Sequence, residues 1–373
     1  MLNYKKEDIV DYRDSLSKLG ALSNLFSESD IPYLHYRTTE YLYCRIFGAE
    51  NLSRSDIAID AKIGNIGVGV KTFTYSGLSS TEKIAEFNKK MSLFSGSDPL
   101  ERIIAVSSLR NDRIDFVART YGIEKNIYHC IGRSKGRVFV FEVPMDRIDI
   151  ESIKILSVKG NVTSFKDTHA NYSFNMSKST LYKVFTADNL LVDTEVEIYD
   201  DPFLLIKTLD LGSEPEEVVK RKTASKDAVV LPLYGLNQGE NFVYPRSGLN
   251  QWNAGGRKRA FEEVYIPIPS SVRKKAHDIL PPSNTPFSLI LPDGNELTVK
   301  VCQDDGKALM SNPNIDLGNW LLRDVLGLEE GEVLTYEHLL KLGIDSVEIT
   351  RFGSKYKIDF MPPGTFEEYI KNI

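Results

Sequence analysis

The sequence predicts an α/β domain followed by a smaller, mostly β domain closing as a small barrel. Three observations carry this reading. Helical and strand periodicities alternate through the first 210 residues, the pattern of an α/β layer architecture. A polar, charged stretch, Leu211 to Asp227 (LGSEPEEVVKRKTASKD), then reads as a linker. Beyond it, short apolar runs are punctuated by Gly, Pro and Asn. At 373 residues the chain has room for two cores, which sets the expected divisions at 1–210, 211–227 and 228–373.

Composition narrows the class. The formal net charge of −6 excludes a bulk basic coat but leaves room for local basic loops. Cys44, Cys130 and Cys302 are far apart and odd in number, which suits a reducing cytoplasm and neither a disulfide framework nor a zinc site. No apolar run approaches membrane-spanning length, and MLNYKKED lacks a signal-peptide core, so a cytoplasmic protein is expected.

In chain order, Ile9, Leu16, Leu19 and Leu22 recur on one side of a helix from Lys5 to about Phe26. A second helix is expected over His35 to Phe47, carrying Glu40. Gly64-Asn65 between two alternating apolar runs reads as a tight hairpin turn. Ile63 then faces Ile66 and Asp60 stands opposite Gly69. Asp60, Gly69 and Lys71 thus share one face, with Asp56 further along it. A helix over Thr81 to Phe94 packs Ile84, Phe87 and Met91 inward. It is followed by a strand at Arg102–Ser107, a helix at Asp112–Tyr121, and strands near Ile127–Ile131, Arg137–Val143 and Ile153–Val158. Ser164 to Phe185 reads as a strand entering a helix capped by Ser177 or Ser179, with Lys166, Lys178 and Lys183 as phosphate contacts or solvated lysines.

A carboxylate and a lysine on neighbouring strands suit metal-dependent phosphodiester cleavage: the carboxylate holds a hard cation, and the lysine positions water and offsets charge. The plainer alternative is a hairpin with solvated charges. The arrangement resembles the PD-(D/E)XK nuclease core of type II restriction endonucleases. In that motif an acid stands two residues before the lysine, where this chain has Gly69. The resemblance implies Mg²⁺, Asp60 as metal ligand, and Lys71 acting on water. A second carboxylate then comes from the following helix, Glu86 ahead of Glu82, with Glu40 a further candidate.

In the second half, strands are expected at Val229–Tyr234, Glu263–Pro267, Phe287–Leu291, Leu297–Val301, Ser346–Arg351 and Lys355–Phe360, with a helix at Leu317–Leu326. The loop SGLNQWNAGGRKRAFEEV gathers Asn250, Gln251, Asn253, Arg257, Lys258 and Arg259 around Gly255-Gly256. Arg and Lys pair with guanine, Asn and Gln with adenine, and a Gly pair admits close backbone approach. A polar surface loop is the bland alternative. VRKKAH from Val272 reads as a solvated helix face, and the five scattered histidines as structural.

From this loop to the C-terminus the chain resembles the DNA-binding domain of NgoFVII-type restriction endonucleases, a relative of the plant B-three pseudobarrel and of the BfiI recognition domain. The resemblance rests on GLNQWNAGGRKR, EVYIPIP, VCQDDGKALMSNPNIDLGNWLLRDVL and LTYEHLLKLGIDSV. It implies two major-groove arms. Asn250 to Arg259 form the first; the second holds Gln303, Asp304, Lys307, Ser311, Asn312 and Asn314 as base readers. The phospholipase-D-like nuclease of those enzymes needs H-x-K pairs, which this chain lacks.

Together the resemblances imply a type II restriction endonuclease that cuts double-stranded DNA as a homodimer. The alternatives are a DNA-binding protein with an inactive nuclease fold and a modification-dependent endonuclease. A fragment from about Ala228 onward is expected to fold by itself.

Overall fold

The structure, a computed structural model, describes residues 2–53, 57–87, 98–208, 227–237, 239–250 and 260–372. It divides into two compact units: Met1–Arg54, Ala58–Asn111 and Ile123–Arg221 form the first, and Ser55–Ile57, Asp112–Gly122 and Lys222–Ile373 the second. Apart from Asp227, the expected linker lies outside the described residues.

The first unit is mixed α/β, with two sheets. Its strands are β1 (Glu50–Asn51), β2 (Ala61–Ile63), β3 (Ile66–Thr74), β4 (Ser79–Glu86), β5 (Lys125–Ser134) and β6 (Arg137–Pro144). There follow β7 (Lys154–Lys159), β8 (Val162–Lys166), β9 (Asn171–Asn175), β10 (Thr180–Thr186) and β11 (Val192–Glu195). One sheet has the order β1-β2-β3-β5-β6-β11, the other β4-β10-β9-β8-β7.

The β2–β3 hairpin forms as its turn chemistry requires. Gly64 sits at φ +57°, where a Cβ is disfavoured, and the register pairs Ile63 with Ile66 and Ala61 with Val68. Strand β3 then runs parallel to β5, from Ile66 against Lys125 to Thr74 against Arg133. Helices α1 (Lys6–Ala21) and α2 (Tyr36–Phe47) cover one face of this sheet, burying Tyr12, Leu16, Tyr43 and Cys44 against Val68, Val70, Ile127 and Ile131. Gly48, in the left-handed region, ends α2.

Three expected elements are different in the structure. The helix over Thr81–Phe94 is strand β4 as far as Glu86, and residues 88–97 lie outside the described set. The Ile84–Phe87 spacing fits a helix, but pairing with β10 along the whole strand decides the outcome. The Arg102–Ser107 strand and Asp112–Tyr121 helix are one helix, α3 (Pro99–Tyr121). Asp98 caps it by accepting from the amides of Leu100 and Glu101, and Pro99 takes the first turn. Ile103, Val106 and Leu109 then repeat at helical spacing against Phe165, Tyr172, Phe174 and Leu181 of the second sheet. Finally, Ser164–Phe185 is a strand succession, not a strand entering a helix. A 3₁₀ turn at Met176–Lys178, capped by the Asn175 side chain, joins β9 to β10, with Ser179 in the left-handed region.

In the second unit the strands are β12 (Ala228–Pro232), β13 (Gly235–Asn237), β14 (Glu240–Phe242), β15 (Ile266–Pro267) and β16 (Phe287–Ile290). The remainder are β17 (Glu296–Cys302), β18 (Ala308–Ser311), β19 (Ser346–Phe352) and β20 (Lys355–Met361). A seven-stranded sheet of order β12-β19-β20-β16-β17-β18-β15 curls as a half-barrel. The PDGN turn joins β16 to β17, with Gly294 at φ +95°. The Leu317–Leu326 helix is present, its Asn319–Val325 part wound as a π-helix.

The unit's core draws on residues outside 228–373. Phe116 is fully buried and meets Phe360 edge-on at 5.6 Å, and the Tyr121 hydroxyl donates to Asp359 Oδ1 at 2.7 Å. Arg119 donates to the Val325 carbonyl and Arg113 to that of Lys341.

Candidate active site and nucleic-acid interface

Asp60 and Lys71 meet at the open end of the hairpin. Lys71 Nζ lies 3.9 Å from Asp60 Oδ2, and the same oxygen accepts the Val70 amide at 2.8 Å. That backbone bond fixes the carboxylate while leaving it partly exposed.

Glu40 joins them from α2. Its residue is only 6% exposed, and its carboxyl is pushed up to about 7. Burial is the main cause and the negative charge of Asp60 the next, while Lys71, Arg37 and a hydrogen bond with Ser53 pull the other way. Cys44, one helical turn after Glu40, has its thiol pushed up to about 11 by burial and by the charges of Asp60 and Glu40. The structure therefore brings together Glu40, Asp60 and Lys71, two carboxylates and one cation.

The β4 glutamates part company. Glu82 faces inward: burial raises its carboxyl, opposed by the Ser80 hydroxyl and the charges of Arg133 and Lys71. Opposite Leu181 and Tyr182 the β4–β10 register slips, so that Leu181 pairs with Ala85 and Tyr182 with Lys83. The extra residue turns Glu86 outward, where it ion-pairs with exposed Lys83 at 3.1 Å. The helix that was to present both glutamates does not form.

At Gly69 space for a side chain is tight. A Cβ there would lie 2.7 Å from Met145 Cε and 3.2 Å from Tyr128 Cδ1. Among the described residues no group of three or more His, Cys, Asp or Glu side chains is arranged to hold a metal, and Asp56 lies outside that set.

Two buried networks were not legible in advance. His129 Nδ1 is 3.1 Å from Glu142 Oε1 and Nε2 is 3.2 Å from the Tyr12 hydroxyl, so this histidine is structural as expected. Burial alone would raise Glu142, but His129 and the Tyr4 hydroxyl hold it below its usual range. Lys183 points inward, donating to the Pro144 carbonyl at 3.2 Å above the rings of Tyr128 and Phe185.

In the second unit, Asn250 spends its amide on the protein. Its Nδ2 donates to the carbonyls of Tyr244 and Leu334, and its Oδ1 accepts the Leu334 amide at 2.8 Å. Gln251, Asn253, Arg257, Lys258 and Arg259 lie outside the described residues. On the other arm Ser311 is buried and accepts the Leu317 amide, whereas Gln303, Lys307 and Asn312 are exposed and Asn314 is half-buried. Asp304 belongs to the short turn Asp304–Gly306. Gln303 (φ +68°) and Asp305 (φ +61°) occupy the left-handed region, a strained setting for non-glycine residues. Arg273 anchors Asp305 through an ion pair, and a Cβ on Gly306 would lie 2.6 Å from His277 Nε2. The VRKKAH helix face thus braces this loop, a role its charge pattern did not announce.

Sequence comparison meets this geometry in one place. Residues 223–352 match the NgoFVII C-terminal B3-like DNA-binding domain. This part of the chain is therefore similar to a DNA-binding domain of restriction-enzyme type. No curated protein matches the chain. Among the described residues, no helix is long and apolar enough to cross a membrane.

Proposed function

We propose that the chain is a type II restriction endonuclease: a Mg²⁺-dependent nuclease in the first unit, joined to a domain that reads a short duplex sequence. The observation that carries the catalytic half is the meeting of Glu40, Asp60 and Lys71. The B3-like match supports the reading half. A divergent PD-(D/E)XK core is supported by the order of elements: a helix, the hairpin bearing Asp60 and Lys71, then, after β4 of the other sheet, helix α3 and a strand parallel to β3.

The donor set fits a divalent cation. The charge of Asp60 raises the cost of ionising Glu40, and a hard cation relieves that repulsion; Mg²⁺ takes one or two carboxylates and keeps several waters. When bound, the ion supplies Lewis acidity toward a phosphodiester oxygen and a more acidic water. Asp60, fixed by the Val70 amide, and Glu40 would hold it. Lys71 orients the attacking water and offsets charge on the phosphate. Glu82 replaces Glu86 as the β4 carboxylate nearer this chemistry.

A single site per chain cuts one strand, so two copies act together, as a stable homodimer or one formed on DNA. The three cysteines are free and buried, in keeping with work in a reducing cytoplasm.

A second reading has its own observation: Gly69 stands where the usual acid would be, with Met145 and Tyr128 crowding it, as in a nuclease fold that binds DNA without cutting it. Incubating unmodified and methylated plasmid with the protein, with and without Mg²⁺, separates the readings. Discrete fragments from unmodified plasmid support the endonuclease, fragments from methylated plasmid alone indicate a modification-dependent enzyme, and uncut plasmid in every lane sinks both.

A further inference from the structure

We infer that the outward face of the β4-β10-β9-β8-β7 sheet docks the sugar–phosphate backbone of duplex DNA. The inner face of this sheet is apolar, with Phe165, Tyr172, Phe174 and Leu181 buried against α3. By strand alternation the intervening residues face outward, and the registers set them in rows. One row runs Ser157, Ser164, Ser173, Tyr182, Lys83 across all five strands; another sets Lys154 opposite Lys166, with Asn171 beyond.

A solvated sheet face ordinarily mixes both signs of charge. This one is basic. Lys154, Lys159 and Lys166 are exposed, and the outward carboxylate of these strands, Glu86, is already paired with Lys83. Two lysines directly opposite on antiparallel strands repel each other, which costs stability unless an anion lies between them. Hydroxyl and amide groups of Ser164, Ser173, Tyr182 and Asn171 supply the neutral donors that phosphates accept.

The placement suits one strand of a duplex. Lys154, Lys159 and Lys166 all lie on the neighbouring strands β7 and β8 at one edge of the sheet, where they line a single track of phosphates. Binding here is independent of base sequence. It adds to whatever the B3-like domain reads, and rests on DNA being the partner, not on cleavage.

The test uses the full chain and a random-sequence 30-bp duplex, with affinity followed by fluorescence anisotropy between 50 and 200 mM salt. Each phosphate contact contributes about 0.9 to the slope of log affinity against log salt. The triple variant Lys154→Gln, Lys159→Gln, Lys166→Gln is expected to flatten that slope by about 2.7, with affinity at the lower salt reduced at least tenfold. The control Lys5→Gln, Lys6→Gln, Lys18→Gln, in exposed lysines on or beside α1, should leave the slope unchanged. Circular dichroism of both variants should match the parent. An unchanged slope in the first variant, or equal flattening in both, would overturn the inference and leave an ordinary solvated face. An equal loss of affinity for polyglutamate would show a general polyanion surface and overturn its assignment to duplex DNA. Because the readout is binding without Mg²⁺, a failure of the nuclease reading leaves this test intact.

Discussion

Met145 Cε lies 2.7 Å from the point that a Cβ on Gly69 would occupy, in the place where the PD-(D/E)XK pattern has an acid. An acid at this position has to displace the Met145 methyl and press on the ring of Tyr128.

Gly69→Glu forces a carboxylate against Met145 and Tyr128. Overpacking costs about 1–3 kcal/mol. The expected outcome is a lower urea midpoint with no gain in cleavage. A Gly69→Glu protein that is both stable and more active would show that the acid position is open.

The hairpin was legible because its information is local: Gly64-Asn65 permits the turn, and alternation on either side sets the register. Strand β4 was not, since Ile84 and Phe87 fit a helix and only pairing with β10 excludes it. Likewise Arg102–Ser107 is β-branched enough to suggest a strand, yet Asp98 and Pro99 start a helix there. Glu40 ranked behind Glu86 and Glu82 as a candidate, because its approach to Asp60 depends on how α2 packs against β3, which no local spacing encodes. Met145 against Gly69 and Arg273 against Asp305 are contacts between distant segments. In the second unit the motifs carried the reading, whereas the service of Asn250 and Ser311 inside the protein is a tertiary fact.

Glu40 and Glu86 should separate cleanly. Glu40→Gln is expected to lower cleavage at least a hundredfold, while Glu86→Gln, which only loosens the exposed pair with Lys83, leaves it within about twofold. Between its ordinary value of 4.5 and about 7, folded Glu40 holds a proton that the unfolded chain has lost. Its contribution to stability is thus full below 4.5 and lost as pH rises through 7. A metal must displace that proton, so Mg²⁺ affinity measured by calorimetry should fall roughly tenfold per pH unit below 7. Glu40→Gln should remove this dependence. The same pH dependence in the variant would assign the proton to another group.

Arg273 holds the Gln303–Lys307 loop through Asp305, so Arg273→Ala should act on DNA discrimination. With the loop released, Gln303 and Lys307 lose their fixed positions, and affinity for a selected site should drop about tenfold relative to random duplex. Asn250→Ala, which frees Leu334 and Tyr244, should weaken both duplexes alike and cost about 1–3 kcal/mol of stability. Equal losses on both duplexes in Arg273→Ala would make this arginine a phosphate contact and not a brace.

The second unit needs more chain than the stretch after residue 227. Phe116 is buried against Phe360, and Tyr121 is hydrogen-bonded to Asp359, so Asp112–Gly122 belongs to that unit's core. A fragment from Ala228 to Ile373 lacks both side chains and exposes the apolar surface they cover. It should bind a hydrophobic dye and melt well below the corresponding transition of the full chain. In the full chain, Phe116→Ala should destabilise by about 3–5 kcal/mol, the range for emptying a buried aromatic position. Tyr121→Phe keeps the ring and removes the hydroxyl, leaving Asp359 without that donor, at a cost of about 1–3 kcal/mol. Hydrogen exchange localises the effect: in both variants the amides of β20 should lose protection before those of β3. If the fragment melts with the full-chain transition and Phe116→Ala changes nothing, Asp112–Gly122 is dispensable and the half-barrel is complete from residue 228.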